Sequence, residues 1–274
     1  MNLKKLFQIQ TVLKRAGYFD ISRIANEIYQ YSKENNVDIE TILRRIKKNE
    51  PWEYIRGYTE FRGTNFLVTR DTLIPRIETE QIVDIALNLV KKRNIPYSKV
   101  IDIGTGTGCI IISLYKDLNK ERKSHKEKKE KNKSIFLATD NSKKTLNIAR
   151  ENAKNNSIND IHFVKEDLIS KEELKDSSLI LANLPYIPTF MYKNLDGSVK
   201  DFEPKNALDG GKDGLKYYKK LIEIIRRSNK KDIDLVVEIE PTTEKDFKEL
   251  IKEEKLEIIK DFRGKNRFLL LHFS

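Results

Sequence analysis

Apolar positions in the first fifty residues recur at helical spacing: Leu3, Leu6, Phe7 and Leu13, then Ile21, Ile24, Ala25 and Ile28, then Ile39, Ile42, Leu43 and Ile46. Each set falls on one face of a 3.6-residue period, which predicts three short helices. Gly17 is placed to stop the first, and Asp20 and Asp38 to cap the second and third. Residues Tyr54 to Val68 then mix β-formers with turn residues and suit a hairpin joining two domains. From about residue 76 the pattern changes to helices alternating with short apolar runs, at Val100 to Ile103, Ile135 to Asp140, Ile161 to Val164, Leu179 to Ala182 and Leu235 to Ile239. That alternation predicts an α/β fold, a doubly wound and mostly parallel sheet with helices on both faces. The last two runs, Leu256 to Phe262 and Phe268 to Phe273, are separated by too few residues for a helical crossover. They must pair antiparallel. The expected organisation is a small N-terminal helical domain over residues 1–55, a connecting hairpin over 56–75 and an α/β domain over 76–274.

A chain of 274 residues is long enough for one large domain with a small accessory one. Its 53 Lys and Arg against 42 Asp and Glu, net +11, suit weak contact with RNA or a ribosome-associated partner, or simply a lysine-rich solvated surface. The single cysteine, Cys109, excludes an internal disulfide and any cysteine-cluster metal site, so no metal is expected. No apolar run approaches the roughly 20 residues needed to span a bilayer, and the N-terminus lacks a signal-peptide core. A soluble, cytoplasmic protein without membrane contact is expected. Residues 120–133, eight Lys or Arg with three Glu, read as a mobile loop: a solvated insertion or a nucleic-acid arm. His125 lies within it with no second metal-ligating side chain nearby.

Candidate chemistry begins where the apolar run Val100-Ile-Asp-Ile meets Gly104-Thr105-Gly106-Thr107-Gly108 and a following helix. Glycines there let the backbone turn tightly and approach a ligand beside unpaired helix N–H groups. The final glycine of the dinucleotide fingerprint is missing, which argues against NAD. The next strand ends in Asp140, placed to accept from ribose hydroxyls. With the fourteen-residue insert set aside it lies eighteen positions beyond Gly108, close to the roughly 20 expected. The third strand ends in Asp167, suited to the amino group of an adenine ring, with Leu168 to pack on the ring face. Either acid alone is as well explained as a helix cap; their order along three successive strand ends points at one adenosine.

The fourth strand delivers Asn183-Leu184-Pro185-Tyr186 to a carboxyl strand end beside that pocket, where open α/β sheets bind ligands and where Asn183 is also placed to contact the bound cofactor. An Asn-Pro turn with a tyrosine packed on it is the plain structural explanation. The chemical one is methyl transfer to a planar nitrogen, an amide or an aromatic amine, whose lone pair is delocalised. The Asn183 side-chain oxygen and the Leu184 carbonyl would grip its hydrogens and aim the lone pair at a methyl sulfonium, while Tyr186 stacks on the planar group; no strong general base is needed.

At these residues the chain resembles the release-factor glutamine methyltransferases, whose signature is an Asn-Pro-Pro-Tyr tetrad. Leu73-Ile-Pro-Arg-Ile-Glu-Thr-Glu80 is similar to that family's Leu-Ile-Pro-Arg-Pro-Glu-Thr-Glu, and Glu203-Pro-Lys-Asn-Ala-Leu-Asp-Gly-Gly-Lys-Asp-Gly-Leu215 to its segment beyond the tetrad. The resemblance implies a Rossmann-like class I methyltransferase fold and S-adenosylmethionine as cofactor. It implies class I peptide-chain release factors as partners, methylated on the glutamine of their Gly-Gly-Gln motif, and an N-terminal domain that recruits them. The chain departs from the pattern at Leu184 and Ile77, each where the family has proline, in the lysine-rich insert, and in Val237-Glu-Ile-Glu-Pro, which lacks a Gly after Glu-Ile. The tetrad is shared with methyltransferases of the exocyclic amine of adenine in DNA or RNA, which stays open as a second reading. A nucleic-acid-binding protein with a vestigial pocket is the third.

Overall fold

The computed structural model describes residues 3–124, 134–251 and 254–274. The three expected helices are Leu3–Arg15 (α1), Ile21–Glu34 (α2) and Ile39–Ile46 (α3), followed by a short fourth, Trp52–Arg56 (α4), that hydrophobic period alone does not announce. Together they bury Ile9, Leu13, Ile28, Leu43 and Trp52 in a core of their own. Helix α1 turns a different face inward from the one expected. Leu6, Ile9 and Leu13 form the row that packs, and Leu3 and Phe7 face solvent. Gly17, at φ +79°, supplies the left-handed turn that ends α1. Asp20 and Asp38 stand at the helix starts as expected, yet neither side chain caps a backbone N–H. The Asp20 carboxylate is drawn instead to Arg23 Nε at 2.7 Å, a charge-assisted bond stronger than a neutral cap.

The hairpin consists of Tyr58–Phe61 (β1) and Thr64–Leu67 (β2), joined by Arg62 and Gly63, both at positive φ, the two-residue turn whose twist suits paired strands. Phe61 and Phe66 meet edge to face and enter the core of the large sheet. Arg62 binds Asp84 at 2.8 Å and Asp117 at 3.0 Å. Asn152 holds both backbone groups of Leu67. Buried Glu50 takes Arg45 from α3 and Arg70 from the segment after the hairpin, and these guanidinium hydrogen bonds hold its carboxyl down at about 2.

The α/β part contains Glu80–Lys92 (α5), Lys99–Ile103 (β3), Cys109–Ser124 (α6), Ile135–Asp140 (β4), Lys143–Asn155 (α7), Ile161–Lys165 (β5) and Ser178–Ala182 (β6). Short helices Thr189–Tyr192 (α8) and Gly197–Lys200 (α9) follow, then Lys216–Ser228 (α10), Ile233–Glu238 (β7), Glu244–Leu250 (α11), Lys255–Lys260 (β8) and Asn266–Phe273 (β9). Strand order is β5-β4-β3-β6-β7-β9-β8, and only β9 runs against the others. The antiparallel strand is therefore not the edge: β9 lies between β7 and β8, where its apolar Phe268, Leu269 and Leu271 are buried. Strands β3, β6 and β7 are buried along their whole length. Helices α5, α6 and α7 cover one face and α10 and α11 the other, which is why these strands read as largely apolar runs, broken only by buried polar residues such as Asp102 and Asp234.

Order along the sheet reverses between β3 and β6, so the crevice of this topology opens at their carboxyl ends. Helix α6 continues to Ser124, so residues 120–124 are helical where a loop was expected. The remainder of the lysine-rich stretch, with His125, lies outside the described residues. No helix among the described residues is long and apolar enough to cross a membrane.

Candidate active site

One open cleft, with about 940 Å³ of free space, lies at that crevice. Gly104, Thr105, Gly106 and Thr107 from the turn after β3 line it, as do Asp140 at the end of β4, Asp167 and Leu168 after β5, and Asn183, Leu184 and Pro185 after β6. Gly108 and Tyr186 do not line it. A Cβ at Gly108 would press on Ile112 and Ala149, so that glycine lets α7 approach the turn rather than making room for a ligand. At Gly106 the reverse holds: φ is +56°, and a Cβ would stand in the cleft with nothing nearer than the Gly104 carbonyl at 4.0 Å.

The acids differ in their surroundings. Asp140 accepts from the Gly106 N–H at 3.2 Å and the Ser142 N–H at 2.9 Å, while burial pushes its carboxyl above the ordinary range. It braces the glycine turn and keeps lone pairs for hydroxyl donors. Asp167 is exposed and paired with Lys220, leaving it less committed to the cleft than its strand-end position suggests. Leu168 has φ +71°, rare for a branched side chain, and the Thr139 hydroxyl donates to its carbonyl at 2.6 Å. Glu166, which the sequence reading did not select, also lines this wall, and its carboxylate accepts from the Ser170 N–H.

At the other end, Asn183 donates from Nδ2 to Thr79 Oγ1 at 3.1 Å. Thr79 in turn donates to Glu238 Oε2 at 2.8 Å. Tyr186, expected to stack on a planar substrate group, donates its hydroxyl proton to Glu238 Oε1 at 3.0 Å and packs, half-buried, against the core. Its burial, next to that carboxylate, pushes the phenol far above its usual range. Leu184 N–H donates to the Tyr218 hydroxyl at 3.2 Å, so the leucine that stands in place of proline has its extra backbone donor satisfied inside the protein.

The segment after α9 buttresses the tetrad. Ile187 N–H donates to the Leu208 carbonyl and Gly210 N–H to the Ile187 carbonyl. A Cβ at Gly210 would meet the Pro185 carbonyl oxygen at 2.6 Å, and one at Gly214, where φ is +76°, would drive into the Tyr186 carbonyl oxygen. These glycines are the reason for the Asp-Gly-Gly-Lys-Asp-Gly run. We expect Gly214→Ala to cost about 2–3 kcal/mol through the left-handed backbone and the overlap, and to lower turnover as the tetrad shifts. Thermal unfolding and initial rates measured together check this, and an unchanged melting temperature would refute it. Arg76 pairs with buried Glu203, whose carboxylate also takes the Ile74 N–H at 3.1 Å, pinning residues 74–76 against the 203–207 segment at the cleft wall.

Two residues of this network were not singled out by the sequence reading. Thr79 sat inside the Leu73 to Glu80 block, and Glu238 was a charge following the apolar Leu235-Val-Val, a signal in itself because buried carboxylates need partners.

Residues 96–266 match a family model described as a methyltransferase domain. The release factor glutamine methyltransferase of Flavobacterium psychrophilum is 34% identical over 240 residues, covering 85% of this chain and 79% of that protein. The one from Bacteroides thetaiotaomicron is 34% identical over 238 residues, with the same coverage. The chain belongs to the release factor glutamine methyltransferase family. Membership of this class makes S-adenosylmethionine the cofactor, and the glycine turn, Asp140 and the open space at Gly106 suit it. Among solved structures, the hMettl16 catalytic domain overlays with a TM-score of 0.58 at 15% identity over 81% of this chain and 89% of that one. Human methyltransferase 10 domain containing protein overlays with a TM-score of 0.52 at 17% identity over 77% and 89%. Both likenesses concern the fold alone.

Proposed function

We propose that this protein methylates the side-chain amide nitrogen of the glutamine in the Gly-Gly-Gln motif of class I peptide-chain release factors. The observation that carries the reading is the Asn183 amide, whose nitrogen is taken by Thr79 and whose oxygen, among the described residues, has no protein partner at the cleft. The curated relatives' names supply the substrate. Bound S-adenosylmethionine supplies an electrophilic methyl group on a sulfonium.

Gly104 to Thr107, Asp140, Asp167 and Leu168 are the residues we assign to holding that cofactor. The Asn183 oxygen and the Leu184 carbonyl accept the two hydrogens of the substrate amide. Gripping both fixes the plane of the amide and so aims its delocalised nitrogen lone pair at the methyl sulfonium. As positive charge develops on that nitrogen the same two acceptors gain strength, so they favour the transition state over the ground state. The proton leaves after the nitrogen–carbon bond has formed. Pro185 stiffens the turn that presents both acceptors, and Tyr186, tied to Glu238, anchors its far end.

The test is incubation with methyl-labelled S-adenosylmethionine and a purified release factor. Label is expected on the Gly-Gly-Gln glutamine. A folded enzyme that binds cofactor and labels adenine oligonucleotides, but not release factor, would replace this reading with the amine one.

A further inference from the structure

We propose that Thr79 and Glu238 are positioning residues that set which end of the Asn183 amide faces the substrate. The inference rests on the reading of Asn183 given above, and its geometry comes from three side chains that chain order keeps far apart.

Glu238 is 1% exposed and Thr79 2% exposed, so water does not compete for their hydrogen bonds. An ionised carboxylate only accepts. Burial pushes the Glu238 carboxyl up, and the hydrogen bonds from Thr79 and Tyr186 together with the Arg267 charge pull the other way; ionised, it takes the Thr79 hydroxyl proton at Oε2 and the Tyr186 hydroxyl proton at Oε1. Arg267 stands 3.9 Å from Oε1 and supplies opposing charge. A threonine hydroxyl has one proton. Once that proton points at Glu238, Thr79 offers Asn183 only lone pairs, and the group 3.1 Å away must be a donor. The donor is the Asn183 NH2, which leaves Oδ1 for the cleft.

The two ends of an asparagine amide are nearly equal in shape, so packing alone does not choose between them. The polarity of the Glu238–Thr79 bond does. If Thr79 were free to rotate, it could donate to Oδ1, and the amide would present NH2 to a substrate nitrogen that also carries hydrogens. Two donors would then face each other, and the substrate would lose the acceptor that orients it. Thr79 belongs to the Leu73 to Glu80 block and Glu238 to the end of β7, so this assigns both motifs a common purpose.

The test compares Thr79→Val, Thr79→Ser and Asn183→Ala in the full-length enzyme, using release factor as substrate and calorimetric titration with S-adenosylmethionine. Thr79→Val keeps the branched shape and removes the hydroxyl. We expect kcat to fall about tenfold or more, equivalent to roughly 1.4 kcal/mol, with cofactor affinity within about twofold. Thr79→Ser restores the hydroxyl and should return kcat to within about threefold of the parent. Full turnover in Thr79→Val alongside an inactive Asn183→Ala would overturn the inference while leaving the proposed function standing. So would turnover that falls only in step with cofactor affinity, or that serine fails to restore, since either assigns Thr79 to packing. Normal turnover in Asn183→Ala would instead remove the functional reading on which the inference stands.

Discussion

Replacing Asn183 with alanine is expected to lower turnover on a release factor by about 10²-fold or more while leaving affinity for S-adenosylmethionine close to normal. Losing one preorganised contact to a centre that changes charge typically removes about 2.7 kcal/mol or more of transition-state stabilisation. The glycine turn, Asp140 and Leu168 come from the ends of β3, β4 and β5 and not from the turn that carries Asn183, which is why most of the binding should survive. Asn183→Asp should rescue nothing. Its carboxylate would face the Thr79 oxygen, which has lone pairs to offer and no proton to spare, and would add a second negative charge beside buried Glu238. Single-turnover rates with the cofactor saturating, set beside calorimetric affinities, separate the two effects. Near-normal rates in Asn183→Ala would make the tetrad a structural turn.

Much of the fold was open to reading because fully buried strands leave apolar runs that no surface element would tolerate, and β3, β6 and β7 are such strands. The glycine turn was legible for a related reason: three closely spaced glycines after a strand have few other uses. The network behind Asn183 was not. Thr79 lies 104 positions from Asn183 and 159 from Glu238, and nothing local to any of them requires the others. The bond from Tyr186 to Glu238, 52 positions away, was hidden for the same reason. The position of β9 is a further case. A short turn dictates that β8 and β9 pair, but not which of them joins β7; the choice follows from burial, since β9 carries Phe268, Leu269 and Leu271 inward while β8 alternates. Helix α1 shows the limit of period-based reading, because a helix with apolar residues at positions 3, 6, 7, 9, 12 and 13 has more than one plausible inner face.

Asp102→Asn is expected to make the protein progressively more stable, relative to the parent, as pH rises from about 4 to 7. Asp102 sits wholly buried in β3, where the Thr105 hydroxyl donates to Oδ2 at 2.6 Å and Oδ1 has no partner among the described residues. Burial, helped by neighbouring Asp140, pushes its carboxyl up to about 7. A raised acid in the folded state holds its proton more tightly than the unfolded chain does. Below the unfolded value, near 3.8, both states are protonated and Asp102 costs folding nothing. Between there and about 7 the unfolded chain ionises first, and stability declines. Above that window the accumulated cost levels off at roughly 4 kcal/mol. Asparagine does not titrate, and its amide oxygen still accepts from Thr105. Its NH2 stands unpartnered where Oδ1 was, which adds an offset independent of pH, so the informative quantity is the slope of the difference. Urea unfolding of both proteins at pH 5, 6, 7 and 8 measures it. The comparison belongs in the absence of cofactor, because a sulfonium cation in the adjoining cleft would favour the ionised carboxylate and shrink the difference. A stability difference that stays constant from pH 5 to 8 would mean that Asp102 is ionised, and solvated or paired, throughout that range.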